Sequence, residues 1–232
     1  MLKNEIERVL TNAERLNDRL GAFLSIEREQ ALARAEAIEN ASGELPLRGV
    51  AVAIKDNICT KDIRTSCGSR ILANYTAHYD ATAVERLNAA GAVTIGKTNM
   101  DEFAMGSSNE NSAYQLTRNP WDPTRTPGGS SSGSAAAVAA RHCTLSLGTD
   151  TIGSVRIPAA FCGVASLKPT SGLVSLSGVV PVHLRFDHVG PIVRTARDLA
   201  PLTQLIAGHD PTCRVSFPVQ LAALRAAGGP PP

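Results

Sequence analysis

The stretch "PGGSSSGSAAAVAA", Pro127–Ala140, sets three glycines and four serines in front of an unbroken six-residue apolar run. By composition the first half describes a flexible linker. The alanines that follow are strong helix formers, so the whole reads as a loop entering a helix that runs to Arg141. Gly128 and Gly133 have the spacing of a phosphate loop, but Ser134 stands where that loop needs a lysine. Gly129–Gly133, "GSSSG", also matches a nucleophile elbow with Ser131 at its tip and Asp187, His188 and His209 as available downstream partners. An elbow follows a strand, and the preceding "DPTRTPG" carries prolines that cannot donate in a ladder.

Outward from this stretch the chain alternates strands and helices. "GVAVAI", Gly49–Ile54, reads as a buried strand ending at Lys55. Asp80 then caps a helix through Val84 and Leu87 that closes at Gly91, and "AVTIG" (92–96) is the next strand. On the other side lie the strand "TLSL" (144–147) and the turn "GTDTIGS" (148–154). Helices between apolar strands imply an α/β fold with a mixed, largely parallel β-sheet covered on both faces by helices.

Residues 2–20, with Leu2, Ile6, Val9, Leu10, Leu16 and Leu20 near helical spacing, and residues 29–40 are expected as peripheral helices. Thr195 and Asp198 suggest a capping box for a helix through Ile206, with Pro201 inside it as a kink. The expected organisation is one domain over 1–232: peripheral helices in 1–45, a core in 46–211 and an irregular tail in 212–232.

With 43% hydrophobic and 19% charged residues the chain reads as a soluble globular protein, and a net charge of +2 gives no electrostatic case for nucleic acid or membrane. No apolar run approaches a membrane span. Five cysteines without a CxxC pair, and without metal-ligand spacing, point to reduced buried thiols, no bound metal and a cytoplasmic location.

Taken together, "VAIKDN", "GGSSSGSAAAVAA" and "GTDTIGSVRIPAAFCGV" resemble the amidase signature family. That resemblance implies the N-terminal part of the family fold and a catalytic set of Lys55, Ser130 beside a cis peptide bond, and Ser154 as nucleophile. It further implies an oxyanion hole from the backbone N–H groups of Thr151, Ile152, Gly153 and Ser154. Met105, Gly106 and Ser107 would wall the amide pocket, and Asp150 and Arg156 would brace the turn. Lys97 and Lys168 lie outside the "KDN" context and are read as structural or solvated.

The chemistry fits these residue types. A serine hydroxyl needs a base, and lysine can serve in place of histidine. At its ordinary pKa of about 10.4 a lysine is neutral in only roughly one molecule in 2,500 at pH 7, so the site must bury it. Asp56 would oppose this unless strand alternation turns it to the other face.

Within the family, "NMDEFAMGSSNENSA", Asn99–Ala113, is most similar to the A-subunit branch of tRNA-dependent amidotransferases. The resemblance implies hydrolysis of glutamine to supply ammonia for converting Glu-tRNA(Gln) to Gln-tRNA(Gln), with B and C subunits as partners and tRNA met only through the complex. This chain would hold no cofactor, since ATP and Mg would belong to the B subunit. Family chains continue well past residue 232, so this one is expected to be C-terminally incomplete. Ile152 replaces a glycine of that branch, whose positive φ a β-branched residue resists. This, with "FDHVGP" (186–191), keeps open a stand-alone amidase or allophanate-type hydrolase, and an inactive assembly module.

Overall fold

The computed structural model of the chain describes residues 2–218. At its centre is Ala51–Lys55 (β2), in which every residue is buried. Val52 and Ile54 join one apolar core, and Ala51 and Ala53 the other, because successive strand side chains point to opposite faces and both faces are covered.

Around it are Phe23–Ile26 (β1), Val93–Thr98 (β3), Leu145–Asp150 (β4), Ala165–Ser166 (β5) and His188–Val193 (β6), in the order β1-β3-β2-β4-β6-β5. The β2 strand runs parallel to β3 and β4, and the outer pairings are antiparallel. Four strands (β2 to β5) therefore point one way, which gives the mixed, largely parallel α/β sheet read from the sequence.

One face is covered by Thr82–Ala89 (α3) and Leu199–Ile206 (α6), which pack Val84, Leu87, Leu202 and Ile206 on the sheet. Leu2–Leu20 (α1), Arg28–Glu39 (α2), Ser132–Ala139 (α4) and Arg156–Cys162 (α5) cover the other. The small residues of α4 have a steric cause. A side chain at Gly133 would come within 2.2 Å of the Ala22 carbonyl and 2.5 Å of the Asn99 nitrogen. The stretch is a buried helix start, and a linker reading does not survive.

Several expectations change. The segment 1–45 holds more than two outer helices with one packed stripe each: β1 pairs with β3, and Ile6, Leu10, Phe23 and Ile38 belong to a core. Asp80 does not cap α3, whose N-cap is Ala81; its carboxylate accepts from the Lys61 N–H at 2.7 Å and from Asn88 at 3.1 Å. Pro201 causes no interior kink, because α6 begins at Leu199 and places it in the first turn, where an N–H has no helical acceptor. Thr195 and Asp198 bond to one another through their side chains at 2.8 Å, Thr195 preceding and Asp198 ending a short 3-10 turn before α6. Of the proposed tail, Cys213 is buried in a core cluster, and residues 219–232 lie outside the described residues. All five cysteines are free and buried.

The carboxyl ends of the parallel strands β2, β3 and β4 deliver Lys55, Thr98 and Asp150 to one edge of the sheet, where α4 begins. Open α/β sheets form their crevices at such an edge.

Candidate active site

Lys55, the last residue of β2, is fully buried. Its Nζ donates to Ser130 Oγ at 2.7 Å, Thr149 Oγ1 at 2.8 Å and the Thr149 carbonyl at 3.3 Å. Burial lowers its pKa to about 7, against the opposing pull of Asp101, Asp150 and Asp187. Asp56, next in sequence, is turned away. It accepts from Ser66 and Gly68 and lies 3.9 Å from the Nζ of Lys97.

Lys97 is itself fully buried and donates to the Ile58 carbonyl at 2.7 Å and Thr65 Oγ1 at 2.9 Å, so it is structural and the solvated alternative falls. Lys168 is half-buried, bonded to the Pro169 carbonyl and 3.2 Å from His188.

Ser130 sits at a Gly129–Ser130 peptide bond that is cis. A side chain at Gly129 would meet Asp101 Oδ2 at 2.1 Å and Ser107 at 3.0 Å, so only glycine fits. Ser131 does not form an elbow. Its buried hydroxyl donates to the Thr149 carbonyl at 3.1 Å and accepts from the Thr149 N–H at 3.3 Å, and an irregular segment precedes it. Asp187 and His188 are bonded elsewhere, His188 to the Asp150 carbonyl.

The Ser131 N–H donates to the Ser154 carbonyl at 3.1 Å, which ties the cis-peptide loop to the turn after β4. Asp150 organises that turn. It accepts from the N–H of Gly153 at 2.8 Å and of Val155 at 3.1 Å, and from the Arg156 guanidinium twice at 3.0 Å. Burial raises the pKa of its carboxyl, but Arg156 and these N–H groups outweigh it and hold the group below its ordinary value. Asp187 holds the other end of the turn through Thr151 Oγ1 at 2.6 Å.

Two features of the turn differ from expectation. The Gly153 N–H is engaged by Asp150 and is not among the free donors, whereas the N–H groups of Ile152 and Ser154 make no hydrogen bond among the described residues. Ile152 does not adopt the positive φ attributed to this position; Gly153 does, at +143°. The Ile152 side chain is instead 88% exposed. Ser154 is buried, and its hydroxyl makes no hydrogen bond to Ser130 among the described residues.

Above the turn lies a cleft of about 470 Å³, with Met105, Gly106 and Ser107 on one side and Thr151–Ser154 on the other. Ala104, Ile157 and Val182 complete it, and no ionisable side chain lines it among the described residues. Among the described residues no cluster of three or more His, Cys, Asp or Glu is placed to hold a metal ion, and no helix is long and apolar enough to cross a membrane.

Sequence reasoning missed Thr149 and Asp101, and gave Asp187 only the role of an elbow partner. Thr149 was visible as the residue before Asp150 in "GTDTIGS", and Asp187 sits in the divergent "FDHVGP". Asp101, in "NMDEF", carries no signal in the sequence, and only the structure shows it buried.

Residues 5–226 match the model of the Amidase family. The chain is 59% identical over 200 residues to the A subunit of glutamyl-tRNA(Gln) amidotransferase from Geobacillus thermodenitrificans, an alignment covering 84% of this chain and 41% of that one. Among solved structures, the glutamyl-tRNA(Gln) amidotransferase A subunit of Thermotoga maritima superposes with a TM-score of 0.84 at 46% identity, covering 94% of this chain and 46% of that one. A 6-aminohexanoate cyclic dimer hydrolase superposes with a TM-score of 0.88 at 34% identity, covering 95% and 46%. The chain thus spans about half the length of the relatives it matches.

Proposed function

This chain belongs to the amidase family, and from that premise we propose that it is the glutamine-hydrolysing part of a tRNA-dependent amidotransferase. The observation that carries the chemistry is the fully buried Lys55 bonded at 2.7 Å to Ser130, on a loop tied to the Ser154 turn. With a pKa near 7 a large fraction of Lys55 is neutral at physiological pH. The neutral amine takes the Ser130 proton, and Ser130 takes the proton of Ser154. For this the Ser154 hydroxyl must turn onto Ser130 when an amide fills the cleft, a tightening that active sites commonly show on substrate binding.

Ser154 Oγ then attacks the amide carbon, and the carbonyl oxygen becomes an oxyanion facing the Ile152 and Ser154 N–H groups. Collapse breaks the C–N bond, with the relay returning its proton to the departing nitrogen. Ammonia leaves, an ester remains on Ser154, and water hydrolyses it to glutamate. Met105, Gly106 and Ser107 form the facing wall, and Asp150 with Arg156 holds the donors in place. In this reading B and C subunits are partners, ATP and Mg serve the B subunit, tRNA is met through the complex, and the setting is cytoplasmic. The identity to amidotransferase A subunits supports the assignment.

The test is ammonia release from glutamine by the chain with its B and C partners. Release should require Ser154, falling by about 10³-fold or more in Ser154→Ala, with the variant still folded. Undiminished release in that variant overturns the mechanism. A second reading, a partner-independent amidase for uncharged amides, is favoured by the apolar cleft lining and by Ile152 exposed at its mouth. Turnover of simple amides by the chain alone, with glutamine untouched, would select it.

A further inference from the structure

Asp101 lies just past β3 and is fully buried. Its backbone N–H donates to the Ser130 carbonyl at 3.3 Å, and its Oδ1 accepts from the Asn111 N–H at 3.3 Å. The other carboxylate oxygen, Oδ2, has no hydrogen-bond partner among the described residues, and it lies where any side chain on Gly129 would strike it at 2.1 Å. A buried carboxylate oxygen left without a donor is costly. Here it lies against the cis peptide that presents Ser130 to Lys55.

The groups that act on the Lys55 charge come from four segments: Asp101 after β3, Asp150 at the end of β4, Cys67 in the loop following β2, and Asp187 before β6. Asp150 is neutralised by Arg156, Asp187 is occupied by Thr151 and the Val182 and His183 N–H groups, and burial pushes the Cys67 thiol up to about 12, so it carries no charge. Asp101 has no cation paired with it among the described residues, and of the four it acts most strongly on Lys55. No carboxylate lies within 4 Å of the Lys55 Nζ among the described residues, so Asp101 acts through space and through the Ser130 turn.

Building on the relay proposed above, we propose that Asp101 is a positioning residue for the Lys55–Ser130 pair: its N–H anchors the turn that aims Ser130, and its carboxylate governs when Lys55 is charged. Burial raises the pKa of the Asp101 carboxyl, as does nearby Glu110, while the Asn109 and Asn111 N–H groups and Lys55 pull it down; in its ionised form Asp101 favours the ammonium. It therefore keeps Lys55 able to return a proton to the departing nitrogen, while burial keeps it able to lose one.

The test reads the lysine directly, without turnover. In the full chain labelled with 13C-lysine and 13C-aspartate, the 13Cε resonance of Lys55 is followed against pH. Asp101→Asn keeps the shape and removes the charge, and should lower the Lys55 midpoint by about one pH unit. The acid limb of ammonia release should move down by the same amount. An unmoved Lys55 midpoint in the folded variant overturns the proposal.

Should Asp101→Asn not fold, the wild-type protein decides. The Asp101 13Cγ resonance should show a second step at the Lys55 midpoint, and its absence counts against the coupling as firmly. If Ser154→Ala shows that the relay does not act as proposed, the Lys55 titration still tests the role of Asp101 independently.

Discussion

Two lysines on neighbouring strands, Lys55 on β2 and Lys97 on β3, are both fully buried, and they differ in what surrounds their nitrogens. Lys97 has a carboxylate at 3.9 Å in Asp56, together with a carbonyl and a hydroxyl. Lys55 has two hydroxyls and a carbonyl, all neutral. Burial lowers the pKa of both, with Asp56 opposing it at Lys97 and only more distant charges opposing it at Lys55, where it comes to about 7. A buried cation beside an anion is a structural cross-link, whereas one among neutral acceptors can lose its proton. The pairing also removes Asp56 from Lys55, its neighbour in sequence.

The sharpest break of this contrast is Lys55→Met, which should lower ammonia release by about 10³-fold and leave the melting temperature unchanged or raised, since an apolar chain replaces a buried charge. Lys97→Met should do the reverse. It strands Asp56 and should cost about 3–5 kcal/mol in denaturant unfolding, enough to deplete the folded protein.

Stability against pH sharpens the same contrast. Lys55 titrates near 7 when folded and near 10.5 when unfolded, so between these values the unfolded chain holds the extra proton. Its contribution to stability is therefore complete above about 10.5 and is lost as pH falls from there to about 7, a span of about 5 kcal/mol. Unfolding measured from pH 6.5 to 10.5 should show this rise in the wild type and lose that part of it in Lys55→Met. The smallest effect is expected at the cleft mouth. Ile152→Gly should shift preference between an apolar amide and glutamine by only about threefold in kcat/KM, because a largely exposed side chain has little apolar area to bury.

How far the sequence could be read is clear at particular places. The α1 helix, β2 and the start of α4 were legible because each carries a strong local pattern: helical spacing, an unbroken apolar run, or small residues before alanines. The β1 strand, at four residues, was too short to show a period, as was β5 at two, and α5 at seven residues went unread. Asp80 and Thr195 looked like caps because the residue type was right, but other partners took their side chains. At the site, the motifs singled out Lys55, Ser130, the 151–154 turn and the Met105–Ser107 wall. Thr149 and Asp101 stand inside motifs that the sequence displays, but their part comes from contacts with Lys55 and Gly129, which lie far off in the chain.

By itself the sequence determined the alternation of strand and helix, the need for glycine where backbones touch, and the set of serines and lysines available for chemistry, because these follow from local propensity and side-chain size. Only the tertiary structure decided which buried lysine would be matched with a carboxylate and which would be left among hydroxyls. It likewise decided that Asp150 would engage the Gly153 N–H and that Ile152 would face outward. The physical reason is that a pKa and a hydrogen-bond partner are properties of surroundings assembled from distant segments, and no single stretch of chain encodes them.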